Sequence, residues 1–507
     1  MTAMIRAPRL RSGQASYATL RGVSDLSEST RPGGTVPANG ARHEALSADD
    51  LVGLTGGRLI RDSLRPIRGA AVDSRLVKPG ELFVALPGER TDGHRFLREA
   101  VMAGAAALIV AADPDDATLA LLGDVTIVAV PSPIAALQAI AAGWRARFEP
   151  LVVGITGSIA KTSTKEAIAS VLAGRGRTLR TEGNQNNEIG LPLTLLRIGS
   201  EDVNVVLEMG MYAGGEIAQL AELARPEIGV VTAILGVHLS RIGSIEAVEN
   251  AKAELIVALP AHGIAILNAD DPRVRGLRAR TEARVVTYGF ADDADVGADQ
   301  VRSAGTAGMR FRLRYEGPDG IERVPATIPA LGRLSVHNGL AAAAVGLAVG
   351  MRVDEIVRAL AGGWSAPHRG QLVIAGGVTI VDDSYNASPA SMAAALELLT
   401  DLPGRRIAVL GGMLELGDAS EVGHLQTGAV AAAACELLVT VGPEATGIAR
   451  GAREAGMAAD AIVEVADGAE ALAALSDIVR PGDVVLVKAS RGAELDRLVE
   501  SLRSALA

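Results

Sequence analysis

Short apolar runs, each closed by Gly, Pro or a charged residue, recur along most of the chain. Segments with helical periodicity lie between them. Such runs read as strands buried on both faces and the periodic segments as helices packed over them, so the pattern predicts parallel α/β sheets.

From residue 46 to about 130 the pattern gives a small α/β unit. Ala71-Val72-Asp73-Ser74-Arg75 and residues 81–86 read as strands, followed by a Gly/Asp turn, a helix at 96–103 and a strand at 107–111. Pro131-Ser132-Pro133 marks a boundary, and an amphipathic helix follows at about 134–147. A second unit, 131–365, opens with a strand at 151–155 that runs through a Gly/Ser/Thr turn into a helix at 162–173. Strands at 204–208, 228–234 and 265–268 alternate with helices, as in a doubly wound parallel sheet. Residues 284–330 look more antiparallel, and an Ala-rich helix is predicted at 337–349. A third unit, 366–507, carries strands at 379–382, 406–410, 437–441 and 484–488 and reads as Rossmann-like. The expected fold class is therefore α/β in three domains, a length of 507 residues being too great for one core.

Composition narrows the function. Aromatics are scarce and small apolar residues dominate, which suits helix–sheet contacts. The net charge of −10 leaves no basic footprint, so nucleic acid is not expected as a partner. A single cysteine, Cys435, rules out an intramolecular disulfide and fits a reducing cytosol. No segment reads as membrane-spanning, so no stable membrane insertion is expected. Residues 1–45 hold six arginines among Ser, Gly and Pro; they read as a disordered extension or a mis-called start in preference to a transit peptide. Five of the 49 basic residues are lysines: Lys78, Lys161, Lys165, Lys252 and Lys488. In an arginine-biased chain a retained lysine can mark a need for a compact ammonium or a neutralisable amine, although chance retention explains any one of them.

Gly154-Ile-Thr-Gly157-Ser-Ile-Ala160-Lys161-Thr162 lies between a predicted buried strand and a helix N-terminus. Backbone N–H groups and the helix dipole there suit a triphosphate, with a lysine for its oxygens and a hydroxyl for Mg²⁺. An ordinary strand–turn–helix is the plainer alternative. Glu208 ends a predicted buried strand, where a carboxylate is costly unless it meets a metal or an ion partner. His238 by itself reads as a structural histidine, Lys252 as a solvated surface lysine, and Asp382-Asp383-Ser384-Tyr385-Asn386 as a βα turn.

Taken together, these segments resemble the Mur ligase family. The resemblance covers roughly residues 46–507 and rests on Thr156–Thr162, the Asn-rich Asn184-Gln-Asn-Asn-Glu-Ile-Gly190-Leu-Pro192, Thr232 with His238 and Gly243-Ser244, and Ala-Lys252-Ala-Glu. Asp382-Asp-Ser-Tyr-Asn386-Ala-Ser-Pro389-Ala-Ser391-Met392 is its most specific signature. The resemblance implies a small N-terminal domain gripping a UDP-muramoyl peptide, a central P-loop ATPase-type domain and a C-terminal ligase domain. It implies an ATP-dependent ligase that joins D-alanyl-D-alanine to UDP-N-acetylmuramoyl-tripeptide through an acyl phosphate, acting as a cytoplasmic monomer.

The resemblance also implies the site. Gly157, Ser158, Ala160, Lys161, Thr162, Ser163, Asn338, Arg369 and Asp383 would hold ATP. Thr162, Glu208, His238 and a CO₂-derived carbamate on Lys252 would hold two Mg²⁺ ions, with Lys161, His238 and Lys252 catalytic. Ser74, Arg75, Asn187, Tyr385, Asn386, Ser490 and Arg491 would contact the two substrates. The sequence departs from the family pattern at Ala160, where the loop usually has Gly, at Ala233, Ser240 and Ile242 around His238, and at Leu334 and Ser335, which replace His-Asn. Gln371 and Gly412 replace a common Arg and Asp. Two alternatives stand beside this reading: a sister ligase adding a diamino acid, although its Asp-Asn-Pro-Arg motif is missing, and a Mur-like binding or scaffold protein without catalysis.

Overall fold

The computed structural model describes residues 44–88, 91–236 and 242–506. Among these, the strands form three sheets in chain order. The first has five strands, ordered Arg58–Arg61, Thr126–Ala129, Ala107–Val110, Leu82–Val84 and Ala70–Ala71. All its pairs are parallel except the first.

The second sheet has nine strands. Leu151–Thr156 sits deep inside it, flanked in parallel by Asn204–Glu208 and Ile228–Val231. Ile264–Asn268 and Arg284–Gly289 extend the parallel part, and Val296–Ser303, Met309–Gly317 and Gly320–Ile328 close it as an antiparallel meander. The third sheet has six strands, in the order Gln371–Ala375, Val378–Asp382, Val484–Lys488, Arg406–Gly411, Leu437–Val441 and Ile462–Val465, of which only the first pair is antiparallel.

The alternation of apolar runs and helices thus gives an α/β fold, as the pattern predicts. Differences come where side-chain chemistry overrides an apolar run. Residues 71–75 are not one strand: only Ala71 pairs, because the Asp73 carboxylate accepts from the Arg75 N–H and caps a 3₁₀ turn at Ser74–Leu76. The strand expected at 228–234 ends at Val231, and the helix expected from 337 begins at Gly332.

One apolar core joins the first sheet to one face of the second. Helix Pro133–Arg145 supplies Leu137, Ile140 and Trp144 to it, alongside Leu51 from helix Ala48–Thr55 and Leu195 from helix Gly190–Leu195. The opposite face is covered by helices Lys161–Leu172 and Gly332–Ala348. The run Ala341, Ala342, Ala343 and Ala344, fully buried, lets these two helices lie close together. Among the described residues no helix is long and apolar enough to cross a membrane.

Strand Leu151–Thr156 and its neighbour Asn204–Glu208 end on the same edge of the sheet. In an open parallel sheet the carboxyl ends of strands on either side of a reversal in strand order form a crevice. The candidate site lies there.

Candidate active site

The chain leaves Thr156 through Gly157, Ser158, Ile159 and Ala160 and enters the helix at Lys161. Gly157 has φ +151°, and a Cβ there would stand 1.8 Å from the Thr232 hydroxyl. Only glycine fits. Thr232 in turn donates to the Ile159 carbonyl at 2.6 Å. Ser158 donates its N–H to the Ala233 carbonyl at 2.8 Å, and its hydroxyl exchanges hydrogen bonds with the backbone of Leu235. The loop is therefore braced along one side by the segment that follows strand Ile228–Val231. Ala160 takes a left-handed conformation at φ 65°, the region the glycine common at this position adopts without cost.

The Lys161 ammonium donates back to the Gly157 carbonyl at 2.7 Å. Burial pushes its pKa below the usual lysine range; the Glu208 carboxylate works against that shift and Arg369 adds to it. Glu208 is 2 % exposed. One of its oxygens accepts from the Asn186 amide at 2.8 Å, and the other, fully buried, has no hydrogen-bond partner among the described residues. A buried carboxylate oxygen left in this state is what a cation or an incoming donor would satisfy. Lys252 is 3 % exposed, and burial, reinforced by the nearby Lys161 charge, holds its amine well below the ordinary lysine pKa. It is not the solvated lysine that its sequence alone would suggest. Among the described residues no three His, Cys, Asp or Glu side chains converge on one point. Glu208 and the Thr162 hydroxyl are described groups in this region that could hold a metal. His238 lies outside the described residues.

The facing wall comes from the third sheet. Strand Val378–Asp382 ends in Asp382, whose carboxylate accepts from His368 Nδ1 at 2.7 Å and from the Ser384 hydroxyl at 2.5 Å. Asp383 pairs with Lys488 at 2.6 Å. The Tyr385 ring stacks with two guanidinium groups, Arg369 at 4.2 Å and Arg491 at 5.0 Å from its centroid. Ser490, 3 % exposed, accepts from the Leu414 N–H at 2.9 Å.

These walls enclose a cleft of about 380 Å³. Ser158, Ala160, Ser163 and Asn338 line it from the central unit, and Arg369, Asp383, Tyr385, Asn386, Ser490 and Arg491 from the third. A second, smaller cavity of about 190 Å³ carries Lys161, Thr162, Asn187 and Glu208, and shares Ser158, Arg369, Tyr385 and Asn386 with the first. Most of the residues singled out in the sequence are thus brought together. Lys252 lines neither cavity and lies buried. The Asn187 side chain accepts from the Gly190 N–H at 2.9 Å, so it also caps the next helix. Ser74 and Arg75 sit on the first unit, outside both cavities, with the Arg75 guanidinium paired to Asp73. Sequence reasoning assigned nothing to Tyr212, which lines both cavities, and gave no role to Lys488 beyond its place in a motif. Lys488 could have been found from its rarity as a lysine; no local pattern marks Tyr212.

Comparison with known proteins matches three family models in order: Mur ligase family, catalytic domain, over residues 66–145; Mur ligase middle domain over 155–346; and Mur ligase, glutamate ligase domain, over 368–491. The UDP-N-acetylmuramoyl-tripeptide--D-alanyl-D-alanine ligase of Mycobacterium tuberculosis is 39 % identical over 470 residues, covering 85 % of this chain and 91 % of that protein. The crystal structure of MurF from Acinetobacter baumannii superposes with a TM-score of 0.79 at 28 % identity, covering 91 % of this chain and 99 % of the other. MurF from Thermotoga maritima, in complex with ADP, superposes with a TM-score of 0.75 at 30 % identity, covering 88 % and 99 %.

Proposed function

The chain belongs to the Mur ligase family, and on that premise we propose that it joins D-alanyl-D-alanine to UDP-N-acetylmuramoyl-tripeptide, with ATP as the energy source. The observation that carries the reading is the meeting, in two contiguous cavities, of the Lys161 loop and Glu208 with Arg369, Asp383 and Tyr385. Identity of 39 % across 91 % of a relative bearing that name supports the choice of substrates.

In this reading the N–H groups of the loop and the Lys161 ammonium hold the triphosphate, Lys161 exchanging the Gly157 carbonyl for phosphate oxygens. The tripeptide's terminal carboxylate attacks the γ-phosphorus, ADP leaves, and an acyl phosphate forms. The dipeptide's amino group then attacks the acyl carbon, a proton is lost, and inorganic phosphate departs. Glu208 and Thr162, with His238, would hold Mg²⁺, which supplies charge neutralisation on the transferring phosphoryl group. The fully buried Glu208 oxygen, without a hydrogen-bond partner among the described residues, fits that role. Lys252 fits carbamate formation, since CO₂ adds only to a neutral amine and burial favours that form. Arg369 and Arg491 reach the cleft from the third unit, so closing that unit over the loop would bring two positive groups to the anionic reactants and exclude water. ATP and a nucleotide-linked precursor are both cytoplasmic supplies, which supports action in the cytoplasm.

The test is mass spectrometry of a reaction of the purified protein with UDP-N-acetylmuramoyl-tripeptide, D-alanyl-D-alanine, ATP, Mg²⁺ and bicarbonate. A pentapeptide product with equimolar phosphate, absent for Lys161→Ala, is the expected result. A product formed only when the UDP-N-acetylmuramoyl-dipeptide and a free diamino acid replace these substrates would make it a sister ligase. A folded protein that binds the UDP substrate and forms no product would be a binding protein.

A further inference from the structure

Helix Gly332–Ala348 carries a histidine, His337, that no step of the proposed chemistry uses. Its ring lies beside Tyr288 and Phe290, with centroids 4.9 and 5.8 Å away, and its side chain is 12 % exposed. Nε2 is 3.0 Å from the Asn268 side-chain oxygen and 3.4 Å from the Asp270 carboxylate. The same Asn268 amide donates through Nδ2 to the Thr232 carbonyl at 2.7 Å. The Thr232 hydroxyl donates to the Ile159 carbonyl at 2.6 Å, and it occupies the space a side chain at Gly157 would need. An unbroken chain of contacts therefore runs from His337 through Asn268 and Thr232 to the phosphate loop.

The polarity of that chain is fixed at both ends. The Thr232 carbonyl can only accept, so the Asn268 amide must present its nitrogen there and its oxygen to His337. The oxygen also accepts from the Asp270 N–H at 2.8 Å, so His337 supplies its second donor. The loop being braced contains Ala160 in the left-handed region, a conformation that persists only when the surroundings impose it. Thr232 is bonded to Ile159, the residue directly before it.

We propose that His337 is a positioning residue for nucleotide binding: through Asn268 and Thr232 it holds the phosphate loop in the shape that receives the triphosphate. The inference rests on the nucleotide reading of the cleft. It adds a link between that loop and the helix whose Leu334, Ser335 and Asn338 line the other part of the cleft. Asn338 makes a second, separate tie, accepting from the Thr164 hydroxyl at 3.0 Å.

The test uses the full-length protein. ADP affinity is measured by calorimetry, and the KM for ATP and for UDP-N-acetylmuramoyl-tripeptide by steady-state kinetics, in the parent, His337→Ala, His337→Gln, Thr232→Val and the His337→Ala/Thr232→Val double variant. Loss of one buried donor in such a network predicts roughly tenfold weaker ADP binding and a matching rise in the ATP KM for His337→Ala. The KM for the UDP substrate should stay unchanged, and Gln, which retains a side-chain N–H donor, should recover most of the loss. If His337 acts through Thr232, the double variant loses little more than Thr232→Val alone. Unchanged ADP affinity in His337→Ala, additive losses in the double variant, or an equal rise in both KM values with a lowered Tm would overturn the proposal. If His337→Ala does not fold, ADP affinity in His337→Gln and Thr232→Val decides: parent-like affinity in Thr232→Val overturns it. Failure of the parent to bind ADP at all would instead remove the nucleotide reading on which it rests.

Discussion

The Lys488 ammonium lies 2.6 Å from the Asp383 carboxylate and 2.9 Å from the Asn386 carbonyl, tying the end of strand Val484–Lys488 to the loop that follows its neighbour Val378–Asp382. The lysine side chain is 3 % exposed and the aspartate 21 %. Breaking a buried pair from one side leaves the other charge uncompensated, which costs about 3 kcal/mol when both are fully desolvated. With Asp383 partly open, Lys488→Met should destabilise the protein by about 2 kcal/mol in urea unfolding. Lys488→Met should also abolish most ligase activity, because Asp383, Tyr385 and Asn386 share the loop that lines the cleft. Asp383→Asn keeps an acceptor for the lysine but leaves the more deeply buried ammonium without its counter-charge, so it should lose at least as much stability. A clearly smaller loss than in Lys488→Met would show that the lysine's tie to the loop, and not the carboxylate charge, sets the effect.

Ala160 is the clearest departure of the phosphate loop from its family. Its left-handed conformation costs an alanine about 1 kcal/mol that glycine avoids. Glycine also gives the unfolded chain more freedom, which offsets about 0.4–1 kcal/mol of that gain. Ala160→Gly should therefore leave Tm within a few degrees of the parent. Its effect should fall on the nucleotide: removing a methyl from the mouth of the helix N-terminus should lower the ATP KM severalfold with kcat little changed. A raised ATP KM would show that the alanine helps to hold the loop in shape.

The strand ends and loops that shape the cleft were legible in the sequence because each is local. A buried apolar run followed by Gly157, Lys161 and Thr162, or by Asp382 and Tyr385, declares a strand end and its loop without knowledge of the rest. The parallel sheets were legible for the same reason, since residues 151–155 or 484–488 can hardly be anything but buried strands. What was lost depends on partners far away in sequence. His337 stands in an Ala-rich helix with no periodic signal, and its role emerges only when Asn268 and Tyr288 arrive beside it. Asp73 turned a presumed strand into a capped turn through one side-chain bond. The edge strand Gln371–Ala375 is antiparallel and half-exposed, so it lacked the unbroken apolar run that marks its neighbours.

Acid should weaken the third unit in a defined way. Asp483 is 5 % exposed, and burial alone would raise its pKa. The two bonds from Arg405, at 3.0 and 2.7 Å, and the Arg480 N–H at 2.8 Å outweigh that and hold it below the usual aspartate value. A carboxylate whose pKa is depressed by folding contributes stability above its unfolded pKa, about 3.9, and loses it as pH falls through the lower folded value. Asp483→Asn should therefore be less stable than the parent by about 2 kcal/mol at pH 7, the scale of hydrogen bonds to a charged group. The gap should close as pH drops below about 3.9. Urea unfolding at a series of pH values measures it, and a gap that stayed constant into acid would assign the effect to shape instead of charge.

Gly412 replaces an aspartate common in related ligases, and the structure gives the reason. A Cβ at this position would lie 2.4 Å from the Cβ of Glu444, which sits within the turn Pro443–Ala445 at the neighbouring strand's exit. The Gly412 carbonyl also accepts from the Ser490 N–H at 3.1 Å, so the backbone cannot retreat without disturbing a residue of the cleft. Gly412→Asp should destabilise the protein by about 2–3 kcal/mol, as overpacking does, and lower activity in proportion to the displacement of Ser490. Charge and shape can be separated in the second site. Glu444→Ala removes the carboxylate and keeps the Cβ, so it should not rescue Gly412→Asp. Glu444→Gly removes the clashing atom and should restore most of the loss, less the roughly 0.5–1 kcal/mol that glycine itself costs in an ordered turn. Rescue by Glu444→Ala instead would mean that repulsion between two carboxylates, and not the close approach of the backbones, is what excludes aspartate from position 412.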